Sequence, residues 1–569
     1  MTGNERSRIT SEDYADYIID YRANPNISEL FPGAAVFYIN TVYAVIHLPV
    51  SQFENRLQTG NRLARIPSIL GLTSEAALEA SGVKKLRNIP DFNLRGQGVM
   101  IGFIDTGIKY TLPAFKKTDG TTKIHSIWDQ SIQSENGYPY HTYYGTEYKA
   151  EQINTALGSE NPLTIVPSTD ENGHGTMLAA IAAGTEDRSA GFFGVAPEAE
   201  LVIVKLKQAK KFLRNFFAIP ENALCYQEND IMWGVQYCLA VARELNRPIA
   251  ICIGVGTSQS AHDGTNPLSQ QLTLLADHPQ VAIASSAGNE GNLGRHFHSI
   301  IDQTVGSVNM ELNVGEKDSG FSMQIWGEAP GIYSIDILSP SGEYIPRMSA
   351  SLQGSRKISF IFEQTVIFLE YQTVDPRNGE ELILLNFHKA TAGVWKITIY
   401  VQGNLAGNVH SWLPMGDFIT RDTYFIQPDI YTTILAPSNA VVPITITAYN
   451  PVGGILYTNA SRGFSRTNAV KPELAAPGVN YTAPNLSGGY SEYTGTGVAT
   501  AHTAGIIALL LEWGVVKGNQ TSFDTVEIKK YLIRGAKRTA NLTYPNREWG
   551  YGMIDIFNTF DVLRQNIQQ

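Results

Sequence analysis

The chain has 569 residues, of which 43% are hydrophobic and 17% charged, and its formal net charge is −10. This length predicts two to four domains, and this composition is that of a globular rather than a disordered protein. A negative net charge without a Lys/Arg-rich run argues against a nucleic-acid partner. The three cysteines, Cys225, Cys238 and Cys252, lie in apolar surroundings without metal-ligand spacing. They predict a reduced chain without disulfides, and the sequence predicts neither a metal site nor a cofactor.

The first 75 residues are predicted to form a unit of their own. Apolar residues alternate over positions 42–48 and predict a strand, and residues 51–57 predict a short helix. The N-terminus is polar and charged as far as Tyr21, and no run of 18 apolar residues occurs. We therefore expect cytoplasmic synthesis without a signal peptide, and no membrane span.

An α/β domain is predicted from residue 76 onward. A continuous apolar run at residues 99–104 predicts a strand that is buried on both faces of a parallel sheet, and it ends at Asp105. Similar runs occur at residues 201–206, 249–253 and 281–284. A helix is predicted between Asp230 and Asn246, with Asp230 as its N-cap. Alternating strands and helices predict a doubly wound α/β sandwich whose chemistry lies at the carboxyl ends of the strands.

Two segments interrupt this α/β pattern. Residues 123–168 are aromatic and polar, and they predict surface loops near the cleft. Residues 303–428 carry seven short β-forming runs separated by turn sequences, at 310–314, 321–326, 333–338, 358–362, 366–371, 382–387 and 394–401. This spacing predicts an inserted β-sandwich or jelly roll between two parts of the α/β domain, residues 76–302 and 429–569.

Four short motifs point to the chemistry. Residues 104–107 read Ile-Asp-Thr-Gly, residues 172–176 read Asn-Gly-His-Gly-Thr, and residues 286–291 read Ser-Ala-Gly-Asn-Glu-Gly. Residues 494–505 read Thr-Gly-Thr-Gly-Val-Ala-Thr-Ala-His-Thr-Ala-Gly and lead into an apolar segment, which predicts a tight turn and a buried helix. In this order the four motifs resemble the aspartate, histidine, oxyanion-asparagine and nucleophile motifs of the subtilisin family of serine proteases, the subtilases.

The resemblance implies a role for each motif residue. Asp105 would fix the tautomer of His174, and His174 would act as the base. Asn289 and the backbone N–H of residue 497 would form the oxyanion hole. His502 is predicted to be a packed structural histidine. The residues expected to pair with an extended peptide as an added strand are Gly254, Val255 and Gly256.

The position of the family's nucleophilic serine is occupied by Gly497. Glycine has no side chain that could attack a carbonyl. The neighbours Thr496 and Thr500 are not expected to replace it, because a shift of one residue at a helix start turns the side chain by about 100°. Ser491 lies six residues away. We therefore expect an inactive site, in which the remaining Asp–His pair stabilises the cleft instead of serving as a relic of catalysis.

The N-terminal unit resembles a subtilase prodomain, whose C-terminal tail occupies the cleft until the site cuts it. Without a nucleophile, we expect this tail to stay attached, with residues 73–81 in or near the cleft as an extended strand. An ordinary N-terminal subdomain is the alternative interpretation of residues 1–75.

The architecture as a whole resembles the clostridial Csp spore-germination proteases and pseudoproteases. This resemblance implies a spore-associated pseudoprotease that acts as a binding or signalling protein. Its partner would be a protein or peptide, such as a related active protease or a cortex hydrolase. Because His174 is retained, the chain would be a minimally degenerate member of this group. The alternative function is a serine endopeptidase that activates a cortex-lytic hydrolase, with Gly497 as an inactivating, even engineered, change. A weaker third interpretation makes the inserted β-domain a ligand or carbohydrate module.

Overall fold

The computed structural model describes residues 3–22, 26–27, 31, 33–52, 63–73, 93–135, 137–139, 142–349, 354–403 and 405–567. Its N-terminal unit contains a small antiparallel sheet with strand order β1-β3-β2. A fourth strand, β4, belongs to a separate sheet with strand order β11-β4-β9. The elements are α1 (Gly3–Ser7), β1 (Tyr14–Asp20), β2 (Ala35–Tyr38), β3 (Tyr43–Pro49) and β4 (Ile69–Leu72). The strand predicted at residues 42–48 is confirmed, whereas the helix predicted at residues 51–57 lies mostly outside the described residues.

The first part of the α/β domain alternates strands with helices. Its strands are β5 (Met100–Asp105), β6 (Ile124–Asp129), β7 (Thr146–Lys149), β8 (Glu200–Lys205), β9 (Tyr226–Gln227), β10 (Ile249–Ile253), β11 (Val255–Gly256) and β12 (Val281–Ser286). Its helices are α2 (Ala150–Leu157), α3 (His174–Ala183), α4 (Lys211–Phe216), α5 (Glu228–Glu244) and α6 (Pro267–Ala276). The four strands predicted from continuous apolar runs are confirmed within one or two residues, because burial on both faces confines polar residues to the strand ends.

Two predictions for this part are wrong in detail. The helix α5 begins at Glu228, so Asp230 is not its N-cap. The Asp230 carboxylate instead accepts hydrogen bonds from Lys207 Nζ at 2.5 Å and Tyr144 Oη at 2.8 Å. The segment predicted as surface loops, residues 123–168, contributes β6, β7 and α2, because Ile124, Ile127 and Trp128 are fully buried.

The insertion consists of two antiparallel sheets that share one apolar core. Its strands are β13 (His296–Ile301), β14 (Ser307–Val314), β15 (Gly320–Gly327), β16 (Tyr333–Leu338), β17 (Tyr344–Ser349), β18 (Gly354–Ser359), β19 (Val366–Gln372), β20 (Glu381–His388), β21 (Gly393–Val401), β22 (Gly407–Trp412) and β23 (Tyr424–Phe425). The sheet orders are β13-β22-β15-β20-β19-β18 and β17-β16-β21-β14-β23. Six of the seven predicted runs form strands, whereas the run at 358–362 overlaps β18 only at its first two residues, because β18 ends at Ser359. Four further strands, β13, β17, β22 and β23, were not predicted.

The second part of the α/β domain completes the central sheet. Its elements are β24 (Ile444–Asn450), β25 (Ile455–Leu456), β26 (Leu474–Pro477), β27 (Tyr481–Pro484), β28 (Tyr490–Tyr493), α7 (Thr496–Leu511), α8 (Thr525–Gly535) and α9 (Ile556–Ile567). The nine-stranded central sheet runs β25-β24-β12-β10-β5-β8-β6-β7, with β26 beside β24. Short 3-10 turns and one π turn also occur, at Leu63–Arg65, Pro113–Phe115, Pro162–Thr164, Gly416–Phe418 and Glu512–Val516.

Helices cover both faces of this sheet. The helices α3 and α7 pack in the core on one face, and α5 and α6 pack on the other. All residues of α7 are buried, and a Cβ at Gly505 would come within 2.5 Å of Val195 Cβ, so only glycine permits this approach. The segment Thr496–Val516 is long and apolar enough to cross a membrane, but 89% of its most apolar window lies inside the protein, as in an ordinary core helix. The fold is therefore the doubly wound α/β sandwich predicted from the sequence, with an inserted all-β domain.

Candidate active site

The first two predicted site residues form a buried pair. Asp105 ends the central strand β5, and His174 is the first residue of α3. The distance between His174 Nδ1 and Asp105 Oδ1 is 2.7 Å, and both residues are at most 5% exposed. The backbone N–H of Thr106 donates a second hydrogen bond to the same carboxylate oxygen. This geometry holds the imidazole ring in one orientation.

Two short-range features position His174. The Asp170 carboxylate accepts hydrogen bonds from the backbone N–H groups of residues 172, 173 and 176, which fixes the turn before the helix. Gly175 lies so close to the turn after β5 that a Cβ would come within 2.3 Å of Gly107 O. Gly175 is therefore required by close backbone approach, whereas Gly173 is required by its positive φ of 95°.

The nucleophile motif forms the start of α7. Gly497 is the second residue of the helix, and its N–H donates a hydrogen bond of 2.9 Å to the carbonyl oxygen of Thr73. The N–H of the preceding Thr496 donates to Asn289 Oδ1 at 3.1 Å, and its hydroxyl lies 3.2 Å from the same atom. Asn289 thus contacts the residue that precedes Gly497, and its part in an oxyanion hole stays a prediction.

The chain's own strand β4 lies in the cleft. It pairs antiparallel with β11 on one side, where Leu72 faces Val255 and Gly71 faces Gly256, and with β9 on the other. The residues predicted to bind an extended peptide therefore pair with a segment of the same chain, in the manner of an added strand. The cleft segment was predicted at residues 73–81, but the described strand lies just before it, and residues 74–81 fall outside the described residues.

Gly254 brings the cleft strand and the Asp–His pair together. A Cβ at this position would lie 2.6 Å from Leu178 Cδ1 and 3.2 Å from Asp105 Oδ2, so a larger residue would crowd both side chains. The Gly254 carbonyl oxygen also accepts a hydrogen bond of 2.6 Å from Thr73 Oγ1. Gly254 thus lies next to the Asp–His pair and contacts Thr73, and Gly497 of α7 contacts Thr73 through its N–H.

The hydroxyl groups of Thr500 and Ser491 form other hydrogen bonds, and the buried thiol of Cys252 is unreactive. Thr500 Oγ1 donates to the carbonyl oxygen of Thr496 inside the helix, and Ser491 Oγ accepts from Asn485 Nδ2. Burial, with a contribution from the charge of Asp105, raises the pKa of the Cys252 thiol well above its usual value. A buried thiol with a raised pKa is a poor nucleophile at neutral pH.

His502 is a packed residue within α7, as predicted. Its Nδ1 lies 3.1 Å from the Tyr481 hydroxyl oxygen, and burial lowers its pKa to about 3. The ring is therefore neutral at physiological pH and does not belong to the cleft chemistry.

A buried polar network that the sequence did not predict anchors the N-terminal unit. Asp16 is fully buried, with His47 Nδ1 at 2.7 Å, Lys210 Nζ at 2.6 Å and Gln227 Nε2 at 3.0 Å. Burial alone would raise the pKa of Asp16, but Lys210 and His47 hold it well below its usual value. Gln227 belongs to β9, which pairs with the cleft strand, so the network joins the N-terminal sheet to the cleft. The sequence signal is a lone polar residue at an inward position of an otherwise apolar strand.

Comparison with known proteins identifies the family. Residues 96–313 and 406–552, more than half of the chain, match the subtilase family, and the unmatched stretch between them falls in the inserted sheets. The chain therefore belongs to the subtilase family, whose fold and site motifs it carries.

The chain is also similar to individual subtilases. The structure of the Clostridium perfringens CspB protease superposes with a TM-score of 0.76 at 28% sequence identity, covering 85% of this chain and 97% of that one. The minor extracellular protease Vpr of Bacillus subtilis is 22% identical over 493 residues, 82% of this chain and 52% of Vpr. Subtilisin-like protease SBT3.17 of Arabidopsis thaliana is 24% identical over 447 residues, 73% of this chain and 54% of that protein. The chain thus spans about half the length of these curated relatives, and its resemblance to the Csp proteases is confirmed.

Proposed function

We propose that this chain is a pseudoprotease of the subtilase family, a binding or signalling protein that keeps its N-terminal strand in its own cleft. The observation that supports this most directly is at residue 497. Gly497 stands where the motif requires a nucleophile, and its N–H is occupied by the carbonyl oxygen of Thr73. The N–H of residue 497 thus binds a peptide carbonyl, and glycine offers no side chain that could attack it.

The chemical consequence is large. In subtilisin, a member of this family, removal of the serine lowers kcat by about 10⁶, and only about 10³–10⁴ of acceleration over water remains. Uncut, the strand is tethered to the site at an effective concentration in the millimolar range, so that modest contacts suffice to keep the cleft filled. An external peptide would have to displace the strand before it could bind.

We further propose that the protein acts in spore germination and associates with spores. This follows from its resemblance to the Csp proteins, which include active proteases and pseudoproteases. Its partner would be a protein or peptide, such as a related active protease or a cortex hydrolase, bound outside the occupied cleft.

A second candidate function is that of a serine endopeptidase of the same family, of which this chain is an inactive variant. The intact Asp105–His174 pair, with its 2.7 Å hydrogen bond, supports it. Both candidates predict that the unmodified chain is inactive. They differ in how much protease activity a serine at residue 497 would restore.

Intact mass spectrometry and a fluorophosphonate probe test the proposal on the purified chain. We expect a single uncut species without bound probe, and the same result for the His174→Ala variant. Self-cleavage or probe labelling of the unmodified chain that the His174→Ala variant lacks would overturn the pseudoprotease assignment, because both require an activated nucleophile.

A further inference from the structure

The side chain of Thr73 sits in a closed polar pocket at the centre of the cleft. Thr73 is only 1% exposed. Its Oγ1 lies 2.6 Å from the carbonyl oxygen of Gly254 and 2.8 Å from Ser286 Oγ. Gly254 follows β10 and Ser286 ends β12, so the pocket is formed by the carboxyl ends of two central strands.

The direction of these two hydrogen bonds is fixed by chemistry. A carbonyl oxygen only accepts, so the single hydroxyl proton of Thr73 must be donated to Gly254. Ser286 Oγ must then donate its own proton to Thr73 Oγ1. The threonine hydroxyl is therefore used once as a donor and once as an acceptor, and a hydroxyl is the group that satisfies both partners.

The hydroxyl group of Ser286 is buried and bonds to the cleft strand. The residue is 1% exposed, and within the described part of the chain Thr73 is the hydrogen-bond partner of its hydroxyl. The adjacent Ser285 is also fully buried, but its hydroxyl has no partner among the described residues. The two neighbouring serines thus have the same burial and chemistry, and one of them faces the cleft strand.

We propose that this cleft selects peptides with threonine or serine at the residue whose carbonyl meets the N–H of residue 497, and that Ser286 is the specificity-determining residue. Valine has nearly the shape of threonine but would leave the buried Gly254 carbonyl and Ser286 hydroxyl unpaired. Sites built to hydrogen-bond a hydroxyl reject analogues that lack it for this reason. This inference deepens the proposed function and rests on it in one respect, namely that the chain's own strand is the resident ligand.

Amide hydrogen exchange of the full-length chain tests the proposal, with peptides that cover residues 69–73 as the readout. In Thr73→Val and in Ser286→Ala we expect these amides to exchange roughly 10- to 100-fold faster than in the unmodified chain, because a buried partner loses its hydrogen bond. In Thr73→Ser, which keeps both hydrogen bonds, we expect at most a severalfold change. Equal exchange in Thr73→Val and Thr73→Ser would overturn the proposal.

Two matched controls are available. Thr447→Val makes the same change at a fully buried threonine whose hydroxyl has no partner among the described residues, and Ser285→Ala does so beside Ser286. Neither should speed exchange of the cleft strand by more than about twofold, since no hydrogen bond is lost. An effect of these controls as large as that of Thr73→Val and Ser286→Ala would show that general destabilisation, not recognition of the hydroxyl, releases the strand.

A double-mutant comparison isolates the pair. In the Ser286→Ala background, Thr73→Val should accelerate exchange less than it does alone, because one of its two partners is already gone; strictly additive effects would overturn the assignment of Ser286. If Thr73→Val unfolds the chain, Ser286→Ala against Ser285→Ala decides by itself. Intact mass separates this inference from the proposed function: a cut chain with a protected, hydroxyl-dependent strand would refute inactivity but leave the specificity standing.

Discussion

Under the proposed function, residue 497 differs from a nucleophilic serine by one hydroxymethyl group. The peptide carbonyl of Thr73 accepts the residue's N–H, and the imidazole of His174 is held by Asp105. Contacts of this kind position a substrate and stabilise charge in acyl transfer, and they form whether or not a nucleophile is present.

We therefore expect Gly497→Ser to restore activity at least in part. The bond after Thr73 should be cut first, since its carbonyl is already in place, and the rate should rise by several orders of magnitude within the roughly 10⁶ that the serine contributes in subtilisin. Intact mass and fluorophosphonate labelling report the outcome. The matched variants are Gly497→Ala, which adds a Cβ without a hydroxyl, and Gly497→Ser/His174→Ala. A serine variant as inert as the alanine one would mean that the cleft has departed from catalytic geometry.

At the scale of elements, the cleft strand depends on how firmly the N-terminal sheet is held. The strand β1 carries two aspartates that differ in solvent exposure. Asp16 is fully buried against Lys210 and His47, whereas Asp20 is exposed and pairs with Arg22. Breaking a buried pair leaves an uncompensated charge, while an exposed pair contributes little.

Asp16→Asn should consequently destabilise the docked N-terminal unit by about 3–5 kcal/mol. The same change at Asp20 should cost no more than about 1 kcal/mol. Urea unfolding gives both values, and amide exchange in β1, β3 and β4 locates the effect. Similar costs for the two variants would mean that the buried network does not anchor the unit.

The elements also explain which features the sequence could predict. Runs such as residues 249–253 gave correct strands because parallel strands are buried on both faces and tolerate few polar residues. The strands β13 and β22 were missed because histidines interrupt their apolar pattern. The histidine rings of the two strands pair with each other, with His296 Nε2 3.0 Å from His410 Nδ1. The site motifs were recognisable because each is contiguous. The Asp16 network was not, because its members come from four separate segments.

At the scale of the whole molecule, buried histidines connect the insertion to the α/β domain. The ring of His262 in the α/β domain stacks on that of Trp412 in β22, with centroids 4.0 Å apart. The ring of His296 lies against the same tryptophan. Because His296 and His410 share a hydrogen bond between ring nitrogens, one of the two must stay unprotonated while the contact persists.

Acidification should therefore lower the stability of the chain. Burial lowers the pKa of His296 and of His502 to about 3, and lowers that of His410 further. Between these values and the unfolded pKa of about 6.5, the unfolded chain binds protons that the folded chain does not, so stability is complete above pH 6.5 and is lost as the pH falls. Each such histidine contributes about 1.4 kcal/mol per pH unit. Glu381 acts in the opposite direction, since burial raises its pKa to about 7.

The contribution of one histidine can be measured by difference, which removes all other titrating groups. We expect His502→Gln to flatten the dependence of unfolding free energy on pH between 6.5 and 5 by about 1 kcal/mol per unit, because the unfolded imidazole is only half protonated at pH 6.5. His278→Gln, the same replacement at an exposed histidine, provides the matched control. Denaturant titrations at pH 7.5, 6.5, 5.8 and 5.0 give the slopes. If His502→Gln and the unmodified chain have the same slope, the imidazole of His502 accepts its proton in the folded protein, and the core around α7 is open to water.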